Sequence, residues 1–187
     1  MSKNNWGWSV KIFILSICLS VVFSTISQSL FPTLPNILSV VVILFFIALS
    51  TIFDMIGVAI ASTNKEKLKK DQFKDCWQTA NKLCDNTEKV SSFCCDVVGD
   101  ICGILSGAGG VSLVINLDIK DANLYLLVTC LVSSLIAGLT IFAKAIMKKK
   151  AVQKAEQVLL TTCQFLNVVA KPKLIFAKIK QKISKNK

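Results

Sequence analysis

Residues 12–53 read IFILSICLSVVFSTISQSLFPTLPNILSVVVILFFIALSTIF, and this stretch of 42 residues contains no charged side chain. A helix that crosses the hydrocarbon core of a bilayer needs about 20 apolar residues. The stretch is therefore long enough for two membrane-spanning helices. Pro32 and Pro35 lie near its middle, and they disfavour one continuous helix. We predict a helical hairpin with one span near 9–28 and a second near 36–60.

The first of these two spans has a competing interpretation as a secretory signal peptide. The apolar region of such a peptide has about 7–15 residues and is followed by a cleavage site of small residues. The apolar region here is longer, and no clear small-x-small site follows it. The sequence therefore favours a membrane span.

Two further apolar stretches extend the pattern to four spans. Residues 90–117 are apolar or small except for Asp96 and Asp100, and residues 122–143 contain no charge. Over the whole chain 53% of the residues are hydrophobic and only 18% are charged, which excludes a disordered chain and disfavours a soluble globular domain. We predict an all-α integral membrane protein with four transmembrane helices.

The distribution of lysine predicts the orientation of these spans. The chain has 22 Lys, no Arg and a formal net charge of +11. Under the four-span model 21 of the 22 Lys lie on one side of the membrane, and the remaining one is Lys120. The positive-inside rule makes that side the cytoplasm. We expect a multi-pass protein of the plasma membrane with both termini in the cytoplasm, whereas a three-span model would divide the lysines between both sides.

The segments outside the spans suggest a division into a membrane domain, residues 1–147, and a cytoplasmic region, residues 148–187. Within the first part, residues 63–86 are predicted to form an amphipathic cytoplasmic helix that begins with a capping box, Thr63-Asn64-Lys65-Glu66. The second part is predicted to form another amphipathic helix followed by a basic tail. The tail either binds anionic lipid headgroups or is solvated and only maintains the orientation.

The composition also excludes or disfavours several classes of function. The chain contains no His, so catalysis by a His base and metal sites with His ligands are excluded. No nucleophile–base pair or phosphate-binding loop is present, and we predict that the protein is not an enzyme, with an aspartate-based intramembrane hydrolase as a distant alternative. A basic chain could bind nucleic acid, but the hydrophobicity favours the membrane. The eight Cys contain no C-x-x-C pair and are interpreted as small buried hydrophobes rather than a thiol metal site.

Asp54, Asp96 and Asp100 are the candidate functional residues because each lies inside a predicted span. An Asp near the centre of a span costs about 2.5–3.5 kcal/mol on insertion scales and needs a compensating partner. No Lys lies well inside a span, so the sequence predicts that no ion pair is available within the bilayer. Asp96 and Asp100 are four residues apart and share a helix face with Gly103 and Gly107. Gly99, Gly103 and Gly107 form a stripe of small residues, which predicts close approach of another helix.

Ser50 shares a face with Asp54 in the second span. If the two faces pack together, three carboxylates and a hydroxyl would surround one cavity, and such oxygen ligands suit hard cations such as Mg²⁺ or Na⁺. The alternative is that the acids lie near the cytoplasmic interface and are hydrated.

Two segments of the chain resemble a known family. Residues 45–68, FFIALSTIFDMIGVAIASTNKEKL, resemble the first helix of the membrane domain in the CorB, CorC and cyclin-M magnesium transporters, where many members have Glu at the position of Asp54. Residues 86–90, NTEKV, match the approach to the family's next helix, and Asp96 and Asp100 fall at its two Asn positions. The resemblance covers roughly residues 40–165.

The resemblance implies a module for transport or binding of a divalent cation, with Asp54, Asp96 and Asp100 as ligands and Ser50 as a hydroxyl ligand. It also implies a homodimer, since members of the family are dimers. The chain departs from the family in its two Asp for Asn, in its additional first span and in having no pair of CBS domains. The alternative function is a non-transporting membrane scaffold or accessory subunit with a lipid-binding basic tail.

The topology can be tested by labelling single cysteines introduced into a Cys-free background. Labels near Lys70 and at either terminus should react from the cytoplasmic side, and labels at Thr33 and Lys120 from the outside, because the lysine-rich loops stay inside. Opposite sides for Lys70 and the C-terminus would show that residues 90–117 do not cross.

Overall fold

The computed structural model describes residues 3–65, 68, 73 and 76–170, and within them it contains helices and no strand. The helices are α1 (Lys3–Leu30), α2 (Asn36–Ser62), α3 (Trp77–Asp85), α4 (Thr87–Ser92), α5 (Asp100–Ile115), α6 (Ala122–Gln153) and α7 (Ala155–Ala170). A π-helix, Phe93–Gly99, joins α4 to α5. The prediction of an all-α fold is confirmed.

In the part of the chain that the structure describes, four helical segments are long and apolar enough to cross a membrane, which agrees with the number predicted from the sequence. They are Gly7–Thr33, Asn36–Ser62, Thr87–Ile115 and Ala122–Gln153. The third segment is made of α4, the π-helix and α5, so Asp96 and Asp100 within it do not interrupt the helical rod.

The two prolines end one helix and start the next, as the hairpin prediction requires. Pro32 lies in a short 3₁₀ turn, Phe31–Thr33, and Pro35 precedes α2 with an extended backbone (φ −61°, ψ 147°). The carbonyl of Pro35 accepts the first hydrogen bond of α2, from the backbone N–H of Ser39 at 3.0 Å. Proline suits these positions because its missing N–H is not needed there.

The four long segments alternate in direction, which gives the bundle two distinct ends. At the end that we call the proline end, Asn116 Nδ2 donates to the carbonyl of Phe31 at 3.5 Å. At the opposite end, which we call the lysine end, the Lys89 ammonium lies 5.2 Å from the centre of the Trp8 ring. Trp8, Ser62, Thr87 and the lysines of α6 all belong to the lysine end.

Helix α2 is the centre of the bundle, because it packs against α4, the π-helix, α5, α6 and α7. Helix α1 is peripheral and packs mainly on α5. None of the residues in the most apolar window of α1 is buried inside the protein. This window therefore presents an apolar surface of the kind that faces lipid.

The predicted amphipathic helix at 63–86 is shorter than expected. The helix described in this region is α3, which begins at Trp77. Thr63 and Asn64, the first two residues of the predicted capping box, are not helical. Thr63 instead ends α2, and its hydroxyl donates to the carbonyl of Ala59 at 2.7 Å. Glu66 lies outside the described residues.

The predicted domain boundary at 147 falls inside a continuous helix, because α6 runs to Gln153. Helix α7 then turns back, and an apolar cluster joins it to α2 and α3 at the lysine end; the cluster is built on Ile60, Leu68, Phe73, Cys76, Ala80, Leu159 and Cys163. Burial raises the pKa of the Cys163 thiol to about 12, with further contributions from neighbouring Cys76 and Cys84. The predicted lipid-binding tail after Ala170 lies outside the described residues.

The tightest contacts of α5 with other helices occur at Gly109 and Gly110, which do not belong to the predicted stripe of small residues. A Cβ at Gly107 would meet no atom within 4 Å, and one at Gly103 would meet only Ser50 Oγ at 3.9 Å. A Cβ at Gly109 would lie 2.5 Å from Phe31 Cζ and 2.9 Å from Ile43 Cγ1, and one at Gly110 would overlap Ile136. The face of α5 that packs tightly is therefore offset from the Gly103–Gly107 stripe.

This offset gives a matched test of the packing. Replacing Gly109 with Ala should destabilise the protein by about 1–3 kcal/mol, because the added methyl group collides with the Phe31 ring. Replacing Gly107 with Ala adds the same group on the same helix and should change stability little. Thermal unfolding of the detergent-solubilised variants measures the difference, and equal melting temperatures would contradict the offset.

Candidate functional site

Asp54 is the most deeply enclosed of the three candidate acids. It lies on α2 eight residues before Ser62, about 12 Å from that end of the helix, and only 3% of its surface is exposed. The Cys95 thiol, on the π-helix, contacts the backbone carbonyl of Asp54 at 3.6 Å. A Cβ at Gly57, one turn further along α2, would overlap Cys95, so the two helices are in close contact beside the carboxylate.

A lysine reaches this carboxylate from another helix. Lys148 Nζ, on α6, lies 3.4 Å from Asp54 Oδ2. The prediction that no ion pair is available to the acids was wrong. Helix α6 continues well past the apolar run, and helical side chains lean toward the N-terminus of their helix. The lysines that follow the run therefore point back toward the acids.

A second lysine of α6 pairs with a second acid. Lys144 Nζ lies 3.3 Å from Asp100 Oδ1, at the start of α5. Lys144 and Lys148 are four residues apart, so one face of α6 carries both ammonium groups. The exposed fractions differ between the pairs: the Asp100 side chain is 65% exposed and the Asp54 side chain 5%.

Asp96 has a different partner from Asp100, although the sequence predicted a shared face. Asp96 lies within the π-helix and accepts a hydrogen bond from Ser92 Oγ at 2.6 Å. A π-helix has i→i+5 hydrogen bonds and more residues in each turn than an α-helix. It therefore changes the angle between Asp96 and Asp100, and the two carboxylates pair with different groups.

Asp96 also lines an open cleft at the lysine end of the bundle, with a volume of about 450 Å³. The cleft is lined by two acids, three hydroxyl residues and two small residues, which are Ala61, Thr87, Glu88, Ser91, Ser92, Cys95 and Asp96. Cys95 belongs both to this lining and to the contact with Asp54. It therefore links the cleft to α2 at the position of Asp54.

Ser50 joins the two faces that the sequence predicted to pack together. Its hydroxyl donates to the carbonyl of Gly99 at 2.5 Å and is completely buried. This bond joins α2 to the last residue of the π-helix. The oxygen keeps lone pairs with which it could accept another bond or contact a cation.

The two faces pack, but the acids do not converge on one point. In the part of the chain that the structure describes, which includes all three aspartates, no group of three or more His, Cys, Asp or Glu side chains is arranged to hold a metal ion. The acids instead lie in three different places. Asp54 lies in the contact between α2 and the π-helix, Asp96 in the cleft and Asp100 beside Lys144.

Lys144 and Lys148 are the site residues that the sequence analysis missed. Their signal was the i,i+4 spacing, which places both ammonium groups on one face of α6. The pattern was hidden because lysines next to an apolar run are ordinarily read as anchors at the membrane surface.

Comparisons with known proteins supply no relative: the chain matches no family model, no curated protein and no solved structure. The function must therefore be argued from the bundle and its charged groups.

The hydrogen bond of Ser50 allows a test of the contact between α2 and the π-helix. Replacing Ser50 with Ala should destabilise the protein by about 1–3 kcal/mol, because a buried carbonyl loses a partner. Ser39 is a suitable control, since it lies on the same helix, is equally buried and has a hydroxyl with no hydrogen-bond partner within the described structure. Replacing Ser39 with Ala should be neutral or stabilising. The melting temperatures of both variants test this, and a larger loss at Ser39 would refute it.

Proposed function

We propose that this protein is a cation-binding or cation-transporting module of a membrane, with Asp54 as the central ligand. The proposal rests on the burial and the surroundings of the Asp54 carboxylate. It is buried on a membrane-length helix, its Oδ2 accepts no hydrogen bond within the described structure, and an ammonium group lies 3.4 Å from it. A carboxylate so placed is a strong ligand for a positive charge.

The cleft at the lysine end supports a route to this ligand. Asp96 and Glu88 give the cleft two negative charges, and Ser91, Ser92 and Thr87 give it hydroxyl oxygens. These are the ligand types that Mg²⁺ and other hard cations prefer while they keep some of their water. In this proposal a hydrated cation collects in the cleft and passes Cys95 to reach Asp54, so Asp96 acts before Asp54.

Ser50 and Asp100 have supporting roles in the proposal. The Ser50 hydroxyl lies one helical turn from Asp54 and already holds Gly99, so it positions the π-helix beside the site and contributes a lone pair. Asp100 fixes Lys144 and with it the lysine face of α6. The likeness of residues 45–68 and 86–100 to the magnesium transporters favours Mg²⁺ over Na⁺.

The setting of the module follows from its charges and apolar surfaces. We infer a multi-pass protein of the plasma membrane with the lysine end in the cytoplasm, since the four-span model assigns 21 of the 22 lysines to that side. We also infer a homodimer, by likeness to the same transporters, and contact of the basic C-terminal segment with anionic lipid headgroups.

Binding of Mg²⁺ to the purified full chain tests the proposal. Isothermal titration should detect binding in the wild-type protein, and Asp54→Asn should weaken it by about tenfold or more, because an amide lacks the charge that binds the cation. Asp96→Asn should weaken it less. Asp118→Asn is the control: Asp118 is exposed in the loop before α6, and Asn tolerates its positive φ of 48°.

Unchanged affinity in Asp54→Asn and Asp96→Asn would contradict the proposal. It would favour the second candidate, a membrane scaffold or accessory subunit. One observation supports that candidate: each acid already has a partner in the chain, namely Lys148, Lys144 or Ser92. A scaffold should also show the same melting temperature with and without Mg²⁺, whereas a ligand of the native state raises it.

A further inference from the structure

The two ion pairs between α6 and the rest of the bundle differ in which partner is enclosed. In the pair of Lys148 with Asp54 the lysine side chain is 52% exposed and the acid 5%. In the pair of Lys144 with Asp100 the lysine is 19% exposed and the acid 65%. The first pair therefore joins an enclosed carboxylate to a lysine side chain that is half exposed.

We propose that Lys148 is a built-in competitor for the Asp54 site: its ammonium group neutralises the carboxylate until a metal cation displaces it. This inference rests on the proposed cation-binding function and specifies its regulation. Lys148 thus determines how tightly, and for cations of what charge, the site can bind.

The contacts of the pair support displacement. The distance between Lys148 Nζ and Asp54 Oδ2 is 3.4 Å, and no hydrogen bond to that oxygen is described. The interaction is therefore mainly a charge interaction, and another cation can replace it at the same oxygen. The Lys148 side chain is half exposed, and its long flexible stem would let the ammonium group swing out toward water. The freed group regains its hydration, which lowers the cost of leaving.

The same geometry argues that Lys144 has a different role. Its side chain is mostly enclosed while its partner Asp100 is open to the surroundings. A lysine in this position loses the only acid that is described beside it if it moves, and it is left away from water. Lys144 therefore fixes α6 in place, while Lys148, one turn further along, exchanges with the cation.

Competition also favours a divalent cation. A monovalent ion that replaces an ammonium group restores the same charge beside Asp54 and gains little, whereas a divalent ion supplies a larger attraction to the same oxygen. The occupied site thus rejects Na⁺ more strongly than the carboxylate alone would. Removing Lys148 should reduce this discrimination.

The experiment measures Mg²⁺ and Na⁺ binding to the full chain by isothermal titration. Lys148→Gln removes the competitor, and we expect its Kd for Mg²⁺ to fall by about tenfold. The control is Lys149→Gln, because Lys149 is the exposed neighbour and the substitution makes the same change in net charge. Lys149→Gln should leave Kd within about twofold of the wild-type value, since an exposed charge is screened. Lys148→Arg retains the charge and should bind as weakly as the wild type.

The outcomes distinguish a failure of the competitor role of Lys148 from a failure of the proposed cation-binding function. If Asp54→Asn abolishes binding but Lys148→Gln and Lys149→Gln behave alike, the competitor inference is overturned and the cation site remains. If Asp54→Asn has no effect, the proposed function itself fails. Weaker binding in Lys148→Gln would also overturn the inference, because the lysine would then be organising the site.

A second measurement covers the case in which Lys148→Gln destabilises the protein. Removal of the ammonium group leaves Asp54 enclosed and unpaired. Saturating Mg²⁺ should then raise the melting temperature of Lys148→Gln by more than it raises that of the wild type, because the cation takes the place of the missing group. An equal or smaller rise would count against the competitor role. The double variant Asp54→Asn with Lys148→Gln should show no rise.

Discussion

A carboxylate that is removed from water requires a compensating partner, and this requirement at Asp54 organises the lysine end of the bundle. The residue lies on α2, the helix around which the others pack, and only 3% of it is exposed. Its partner, Lys148, has to come from α6, so α6 must continue as a helix well beyond the apolar part of its sequence. The length of that helix and the place where α7 turns back are thus tied to one acidic side chain.

The same requirement explains why α2, the π-helix and α6 meet at one place. Ser50 fixes the π-helix to α2 through the carbonyl of Gly99, and Gly57 lets Cys95 approach beside Asp54. The π-helix in turn directs Asp96 to the cleft and leaves Asp100 to Lys144. Each of the three acids is satisfied by a different part of the structure. The described residues therefore do not form one site with three carboxylates.

The long-range packing distinguishes residues that look equivalent in the sequence. Gly107 and Gly109 are both glycines of α5, but Gly109 receives the Phe31 ring while Gly107 faces open space. Ser39 and Ser50 are both buried hydroxyls of α2, but only Ser50 has a hydrogen-bond partner within the described structure. Such differences depend on how one helix is rotated against another, and the periodic pattern of a sequence does not predict that rotation.

The sequence by itself determined the four long apolar helices and the hairpin turn, because charge and proline act locally: a stretch without charge suits a bilayer, and Pro32 and Pro35 end a helix wherever they occur. It also singled out Asp54, Asp96 and Asp100 as residues that need partners. Only the tertiary structure decided which partners they have. The spacing of Asp96 and Asp100 predicted a shared face, but the π-helix altered the rotation between them. Lys144 and Lys148 lie outside the apolar run, yet their side chains lean back into the bundle. The pairing of charges on separate helices depends on how those helices are rotated and how far they extend, and neither quantity is set by residues that are close in the chain.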